Sequence, residues 1–502
     1  MVGRINRLGG RAALRLALFC LSGVLWGQAD ELQRANDLMA AGRFEQAIPI
    51  YQTLAKSMPG NAGVLLNLGL AEHMAGRERD AAGHLEAVLK AQPNSVPALT
   101  ALAQARMAMG EAKLALAPLE KLVAAEPKNR EARGLLAAAL LDAGRFEQAA
   151  SRYREVANVD ANDPRAWYGL GMSYQGLAAS AFDRLQKMDP TSPYVAALVG
   201  DTRVQKRQYR SAFFFYNEAL KKLPNLHGVH AALADVYRKT GHADWAAQED
   251  AKEAALPPAD CKAHAAECEF MAGHDAQLLA LPKGAPPSAE SLFWQAKAAN
   301  ELALQSLFRL GQLPPSVELH QVKAEIARGQ GQHAEAVQEW RAALALAPGN
   351  PQVERELAVS LFLAGDHRAA LEEATRLLKR DPRSAELNFV AGDSLLRLED
   401  PEKAIAPLRA ALAADPKMLG AEASLGLALM RTGKAAEAVG HLERALEIDE
   451  DGSLHFQLAN AYRASGSGEK ARAAMAKYQD IVKRNEEQKA EVAREAQIGP
   501  PK

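Results

Sequence analysis

The stretch Ala41-Gly-Arg-Phe-Glu-Gln-Ala-Ile-Pro-Ile-Tyr51 decides how the rest of the chain is read. It carries a glycine at 42, an alanine at 47 and a large residue at 51. The same trio returns as Gly76, Ala81 and Leu85, then Gly110, Ala115 and Leu119, then Gly144, Ala149 and Tyr153. Further on come Gly241 and Ala246, Gly331 and Ala336 with Trp340, Gly365 and Ala370, and Gly433 and Ala438 with Leu442. Tyr216 and Leu408 hold the large position in two more copies. The prolines keep the same phase: Pro59, Pro93 and Pro127 lie 34 apart, as do Pro190, Pro224 and Pro258, and Pro348, Pro382 and Pro416. A period of this length marks a stack of repeated units.

The spacing predicts a helix–turn–helix unit. A glycine closes the first helix in the left-handed conformation. Small residues earlier in the unit, at Gly69, Gly171, Gly200, Gly392 and Gly426, let the paired helices approach closely. The large residue after the alanine fills the seam, and the proline prevents the second helix from continuing. One such pair cannot bury its apolar face, so the pairs must stack.

These patterns, with Asp163-Pro-Arg-Ala-Trp-Tyr-Gly-Leu-Gly-Met-Ser-Tyr174, resemble the tetratricopeptide repeat (TPR) family, and Trp167, Leu170, Gly171 and Tyr174 match its first-helix pattern. The resemblance implies an all-α fold, a superhelical solenoid of antiparallel helix pairs. The phase predicts about 11 regular and roughly 2–3 atypical repeats. Regular units are expected to start near 28, 62, 96, 130, 193, 227, 317, 351, 385, 419 and 452.

Two departures divide the chain. Pro127 and Pro190 are 63 apart, because no turn interrupts Tyr174-Gln-Gly-Leu-Ala-Ala-Ser-Ala-Phe182. A continuous or kinked helix is expected over about 164–188, within an atypical unit 164–190. A similar stretch runs from Ser291 to Leu310 and ends at Pro315, which suggests a duplicated unit. Leu281-Pro-Lys-Gly-Ala-Pro-Pro-Ser288 reads as a loop. The expected organisation is an N-terminal arc over 30–258, a shortened repeat and joint over 259–288, and a C-terminal arc over 289–478. The charged tail 479–502 reads either as a capping helix or as a partner-binding extension.

Residues 1–29 are expected to be a secretory signal: four arginines precede the apolar run 16–26, and Gly27-Gln28-Ala29 suits cleavage. Export to the periplasm or cell envelope is therefore expected, with no membrane span after cleavage. Lysine plus arginine number 60 against 61 acidic residues, which argues against a nucleic-acid binder working through bulk positive charge. With 48% apolar and 24% charged residues the chain is no disordered polymer.

No phosphate-binding loop, H-E-x-x-H or G-x-S-x-G occurs. No enzyme activity, cofactor, metal or small-molecule substrate is expected. The cluster Cys261, His264, Cys268 and His274 allows three readings: metal ligands, a disulfide, or unpaired structural thiols. Within one helix the cysteines would lie roughly 10.5 Å apart, too far to bridge. A helix starting near His264 would leave Cys261 in the preceding corner and permit the bond. A redox- or metal-linked accessory subunit using Cys261, His264 and Cys268 is the alternative function. His73, His84 and His441 read as surface residues.

The resemblance also implies that first helices line a concave groove. By phase the lining is Leu66, Leu70, Thr100, Gln104 and Met107, then Tyr168, Met172, Asp201, Asp235 and Arg238, then Gln321, Glu325, Arg355, Phe389, Asp393 and Asn460. The lysine and asparagine pair that clamps a C-terminal carboxylate in some family members is not evident. The implied function is a non-enzymatic scaffold that holds peptide or protein segments, in a range including pilus, polysaccharide-export and outer-membrane assembly. Some of these Leu and Met residues could equally be inter-helix core.

Overall fold

The structure is a computed structural model, which describes residues 29–280, 287–495 and 497–501. The expected signal segment lies outside the described residues, except for Ala29, as do residues 281–286 of the expected joint. The described residues contain α-helices and one 3-10 turn, Leu446–Ile448, and no strand. The chain divides into two compact units, one ending at Ala161 and one beginning at Asn162. This division lies elsewhere than the joint read from the sequence.

The first unit holds α1 (29–40), α2 (Phe44–Ser57), α3 (Ala62–Met74), α4 (Glu78–Ala91), α5 (Val96–Ala108), α6 (Ala112–Ala125), α7 (Arg130–Asp142) and α8 (Phe146–Val159). From α2 to α8 each helix packs on the next. Polar caps start the first helices of several pairs: the Asn61 side chain accepts from the Gly63 and Val64 amides, and Asn129 from the Ala132 amide. The glycines that end them, Gly42, Gly76, Gly110 and Gly144, all have positive φ.

The second unit begins with α9 (Pro164–Met188), α10 (Pro193–Gln205), α11 (Tyr209–Lys222), α12 (Val229–Lys239), α13 (Ala243–Ala254), α14 (Ala265–Met271) and α15 (Asp275–Leu279). It continues through α16 (Ala289–Gly311), α17 (Val317–Gly329), α18 (His333–Leu346), α19 (Pro351–Leu363), α20 (His367–Leu378) and α21 (Ala385–Arg397). Last come α22 (Pro401–Ala414), α23 (Leu419–Arg431), α24 (Ala435–Ala445), α25 (Ser453–Ala464) and α26 (Gly468–Glu495). From α17 onward consecutive helices pack on one another. The expected starts at 193, 227, 317, 351, 385, 419 and 452 fall at or within two residues of helix starts.

The core follows the repeat. Tyr51, Leu85, Leu119, Tyr153, Tyr216, Trp340, Leu408 and Leu442 are all buried. Four of the five close-approach glycines face one of these seam residues. A Cβ on Gly69 would meet Leu85; on Gly200, Tyr216; on Gly392, Leu408; on Gly426, Leu442.

Gly171 breaks the rule of sequence adjacency. A Cβ there would lie 2.5 Å from Leu307 Cδ2, on α16. The two long helices α9 and α16 pack extensively on each other. Thus α9 is a first helix whose second helix is α16, and residues between them form an insert. The two stretches are therefore not duplicated copies of an atypical unit, as their likeness suggests, but the two halves of one pair. The missing turn after Tyr174 has the same cause, since the chain leaves for the insert before returning as α16.

Candidate functional site

The implied groove residues divide by what they touch. Leu66 and Leu70 on α3 pack against the apolar cluster of α4 and α5, so their surface is largely used internally. The Thr100 hydroxyl donates back to the Val96 carbonyl, while Gln104 and Met107 are half-buried on α5. In the second unit Phe389 packs edge-on against Phe362, and Asp393, 3% exposed, accepts hydrogen bonds from Ser424 and Arg397. These two hold neighbouring helices together. Arg355 and Asn460 are half-buried, and Arg463 donates to the Asn460 side chain at 3.5 Å.

The α9–α16 pairing brings distant first-helix residues together. Gln321 Nε2 donates to the Tyr168 hydroxyl at 2.6 Å and lies 3.4 Å from Glu325 Oε1. Asp201 accepts from the Tyr216 hydroxyl at 2.8 Å and from Lys297 of α16 at 3.0 Å. Met172 stands half-buried one turn along α9 from Tyr168. Burial pushes the Glu325 carboxyl above the usual carboxylate range, against hydrogen bonding by Gln321. Although its side chain reaches solvent, Glu386 is raised too, first by desolvation among the packed helices and then by Glu356. Arg328 bridges to Glu356 at 3.0 Å. This face of α17, α19 and α21 thus brings Glu325, Glu356 and Glu386 into one electrostatic neighbourhood, with Arg328 paired to Glu356. Asp235 and Arg238 on α12 are engaged with Lys239 and Asp250.

His73, His84 and His441 are not simple surface residues. Each is half-buried and paired, with Glu78 at 2.6 Å, Glu72 at 2.7 Å and Glu422 at 2.5 Å respectively. His230 with Glu249 and His320 with Glu339 repeat the device between the two helices of a pair. The carboxylates matter more than the imidazoles here: Glu72, Glu249 and Glu422 are nearly fully buried and each needs a partner.

Cys261 and Cys268 form a disulfide, with Cα atoms 5.6 Å apart. The helix that would separate them begins only at Ala265, after the His264 cap, so Cys261 sits in the preceding turn. Both thiols are thereby consumed, which removes them as metal ligands or titrating nucleophiles while the bond is intact. His264 pairs with Glu290 at 2.9 Å, and that hydrogen bond raises its imidazole pKa. Its neighbour Glu267 pairs instead with His227 at 2.7 Å. His264, Glu267 and Glu290 offer atoms within 4.8 Å of one another, in a set of ion pairs that accounts for their closeness. His274 pairs with Glu269.

One group escaped sequence reasoning. Phe213 and Trp245 pack around the buried Tyr237 of the insert, together with Ile498 from the far end of the chain. The aromatic residues are visible in the sequence, but nothing in the period links them to residue 498.

The tetratricopeptide repeat family matches residues 32–96, 106–172, 322–374, 355–418 and 424–486, together more than half of the chain. The chain belongs to that family, and such a solenoid is a scaffold for protein–protein interaction. Among solved structures, a crystal structure of MamA protein is 22% identical, with 35% of this chain and 94% of that one covered and a TM-score of 0.29. MamA residues 41 to the end from Desulfovibrio magneticus RS-1 are 20% identical, covering 34% and 96%, with a TM-score of 0.31. The thermophilic TPR protein TTC0263 of Thermus thermophilus is 20% identical, covering 36% and 100%, with a TM-score of 0.29. No curated protein matches the chain. No helix among the described residues is long and apolar enough to cross a membrane.

Proposed function

We propose that this protein is an exported, non-enzymatic scaffold of the cell envelope that holds extended protein segments on the first-helix faces of its second unit. It takes no cofactor, nucleic acid or small-molecule substrate. The observation that carries the reading is the Tyr168–Gln321–Glu325 cluster and its neighbours. Half-buried polar and apolar groups from distant parts of the chain meet on one face, with a carboxyl held above the ordinary range by burial. A cationic side chain of a partner would offset that desolvation by favouring the ionised carboxylate, so a segment with apolar anchors and basic groups fits best. A preformed helical surface binds such a segment with little ordering of its own. The Cys261–Cys268 bridge supports export, because disulfides persist in oxidising compartments. Pilus, polysaccharide-export and outer-membrane assembly are the systems in which such a scaffold would act.

The test is photo-crosslinking in intact cells. A photoreactive residue replacing Met172 should capture a protein in the envelope fraction, and Glu325→Lys should weaken that capture several-fold. The same photoreactive residue at Arg409, exposed on the second helix α22, is the control. Equal capture from both positions, no capture from Met172, or a cytosolic location for the protein would overturn the proposal.

A further inference from the structure

The C-terminal residues return to the insert. Beyond α26, residues 497–501 carry no helix, and Gly499-Pro500-Pro501 explains why: proline lacks the amide proton and biases the residue before it toward extended backbone. Ile498 is half-buried, packed against the cluster of Ala234, Tyr237 and Ala246 and beside Phe213 and Trp245. The Tyr237 hydroxyl donates to the Gly499 carbonyl at 2.7 Å. The rings also pack on one another: Tyr237 lies edge-on to both Phe213 and Trp245, and Trp245 is stacked on His242 at 4.2 Å.

We infer that this aromatic cluster of α11, α12 and α13 is a peptide-binding site for an extended segment with an aliphatic side chain followed by Gly-Pro, and that the chain's own C-terminal residues occupy it in cis. Three features define the ligand. The rings accept an aliphatic side chain, the phenol reads a backbone carbonyl, and the prolines keep the segment extended at little entropic cost. The occupant also closes the site. A tethered ligand acts at an effective concentration on the order of millimolar, so a tail with an intrinsic Kd of ~0.1 mM would weaken any competing segment roughly tenfold. A partner of the same chemistry gains access when the tail is displaced. This inference rests on the scaffold reading only in assigning a protein partner; docking of the tail stands on its own contacts.

The experiment titrates a fluorescein-labelled peptide, Gln497 to Lys502, against three proteins by fluorescence anisotropy: the full chain, a chain ending at Glu495, and the full chain with Ile498→Asp. Circular dichroism checks that each is folded. The peptide should bind the shortened chain and the Ile498→Asp chain alike, and the unaltered chain at least tenfold more weakly. A peptide carrying the same Ile→Asp change should not bind. Failure of the peptide to bind either opened protein, or equal binding to all three, overturns the inference. A dimer of the unaltered chain that dissociates on truncation would place the tail in a second copy and also overturn it. The titration needs no cellular partner, so it can succeed where crosslinking from Met172 fails, and the reverse.

Discussion

The regular run from α17 to α24 and the α9–α16 pair solve one packing problem in two ways. In the regular run Gly392 on α21 receives Leu408 of α22, the next helix in the chain. In the long pair Gly171 waits for Leu307, which arrives only after the insert of α10 to α15. The small-against-large fit is the same; the chain path is not. A repeat is therefore defined by the complementarity of two helix faces and not by the turn that joins them. Closing the long connection adds only a modest cost, because loop entropy grows logarithmically with length.

The sharpest way to break the comparison is to remove a tryptophan from each side. Trp294 on α16 belongs to a cluster that also contains Leu198, Tyr216, Leu233 and Leu278, whereas Trp340 belongs to the cluster of α17 to α21. Each is 1% exposed, and truncation to alanine should destabilise by about 3–5 kcal/mol. Hydrogen exchange should separate them. Trp294→Ala should loosen α10 to α15 together with α16, while Trp340→Ala should affect only α17 to α21. Loss of protection confined to α16 in the first variant would mean that the insert is stable without its partner helix.

The glycines come next. Alanine at 392 would meet Leu408 Cγ at 2.6 Å and the Leu408 backbone nitrogen at 3.2 Å. The three atoms nearest an alanine at 171 all belong to the half-buried Leu307 side chain, with no backbone atom among them. Overpacking of about 1–3 kcal/mol is expected at Gly392, less at Gly171, in chemical denaturation of the full chain. The reverse order would show that the distant pair is the more tightly locked.

Two buried carboxylates sharpen the contrast by pH. Burial works to raise Glu422, but hydrogen bonds from Arg444 and His441 outweigh it and hold the carboxyl below its ordinary value. Its contribution is present above the ordinary carboxylate pKa and is lost as pH falls through the lowered folded value. For Glu72, burial wins over the His84 hydrogen bond and the carboxyl is raised. The folded form then binds the proton more tightly, and stability falls as pH rises from the ordinary value through the raised one. Glu422→Gln should cost about 1 kcal/mol at pH 7 and little under acid. Glu72→Gln should be neutral or stabilising at pH 7. Both are read from urea midpoints at two pH values.

The smallest effect concerns a cap. Arg207 and Glu399 have positive φ, 56° and 61°, at the place where other repeats carry glycine. Glu399 is tied to Arg431, so Arg207 is the cleaner test. Arg207→Gly removes left-handed strain and adds unfolded-state entropy, leaving a gain of about 0.5 kcal/mol, visible as a slightly higher urea midpoint. A loss would mean that the arginine side chain contributes more than its backbone strain removes.

Much of the fold was legible because the phase of glycine, alanine and large residue is local: Gly76 caps, Ala81 approaches and Leu85 fills within one unit. The two caps without glycine were invisible to a search for glycine, although they lie in the same phase. The site was less legible. Leu66 and Phe389 were named by phase as lining yet pack against neighbouring helices, because period alone does not distinguish a seam from an open face. The disulfide depended on where α14 begins, which the sequence left open.

The order of the amino acids alone determined that this chain would be paired helices in register, since capping, close approach and seam filling are all satisfied between residues a few turns apart. Only the tertiary structure decided which helix completes α9 and where the last residues lie. Those choices depend on faces that are complementary but far apart in the chain, and hydrophobic burial is indifferent to how much polypeptide runs between them.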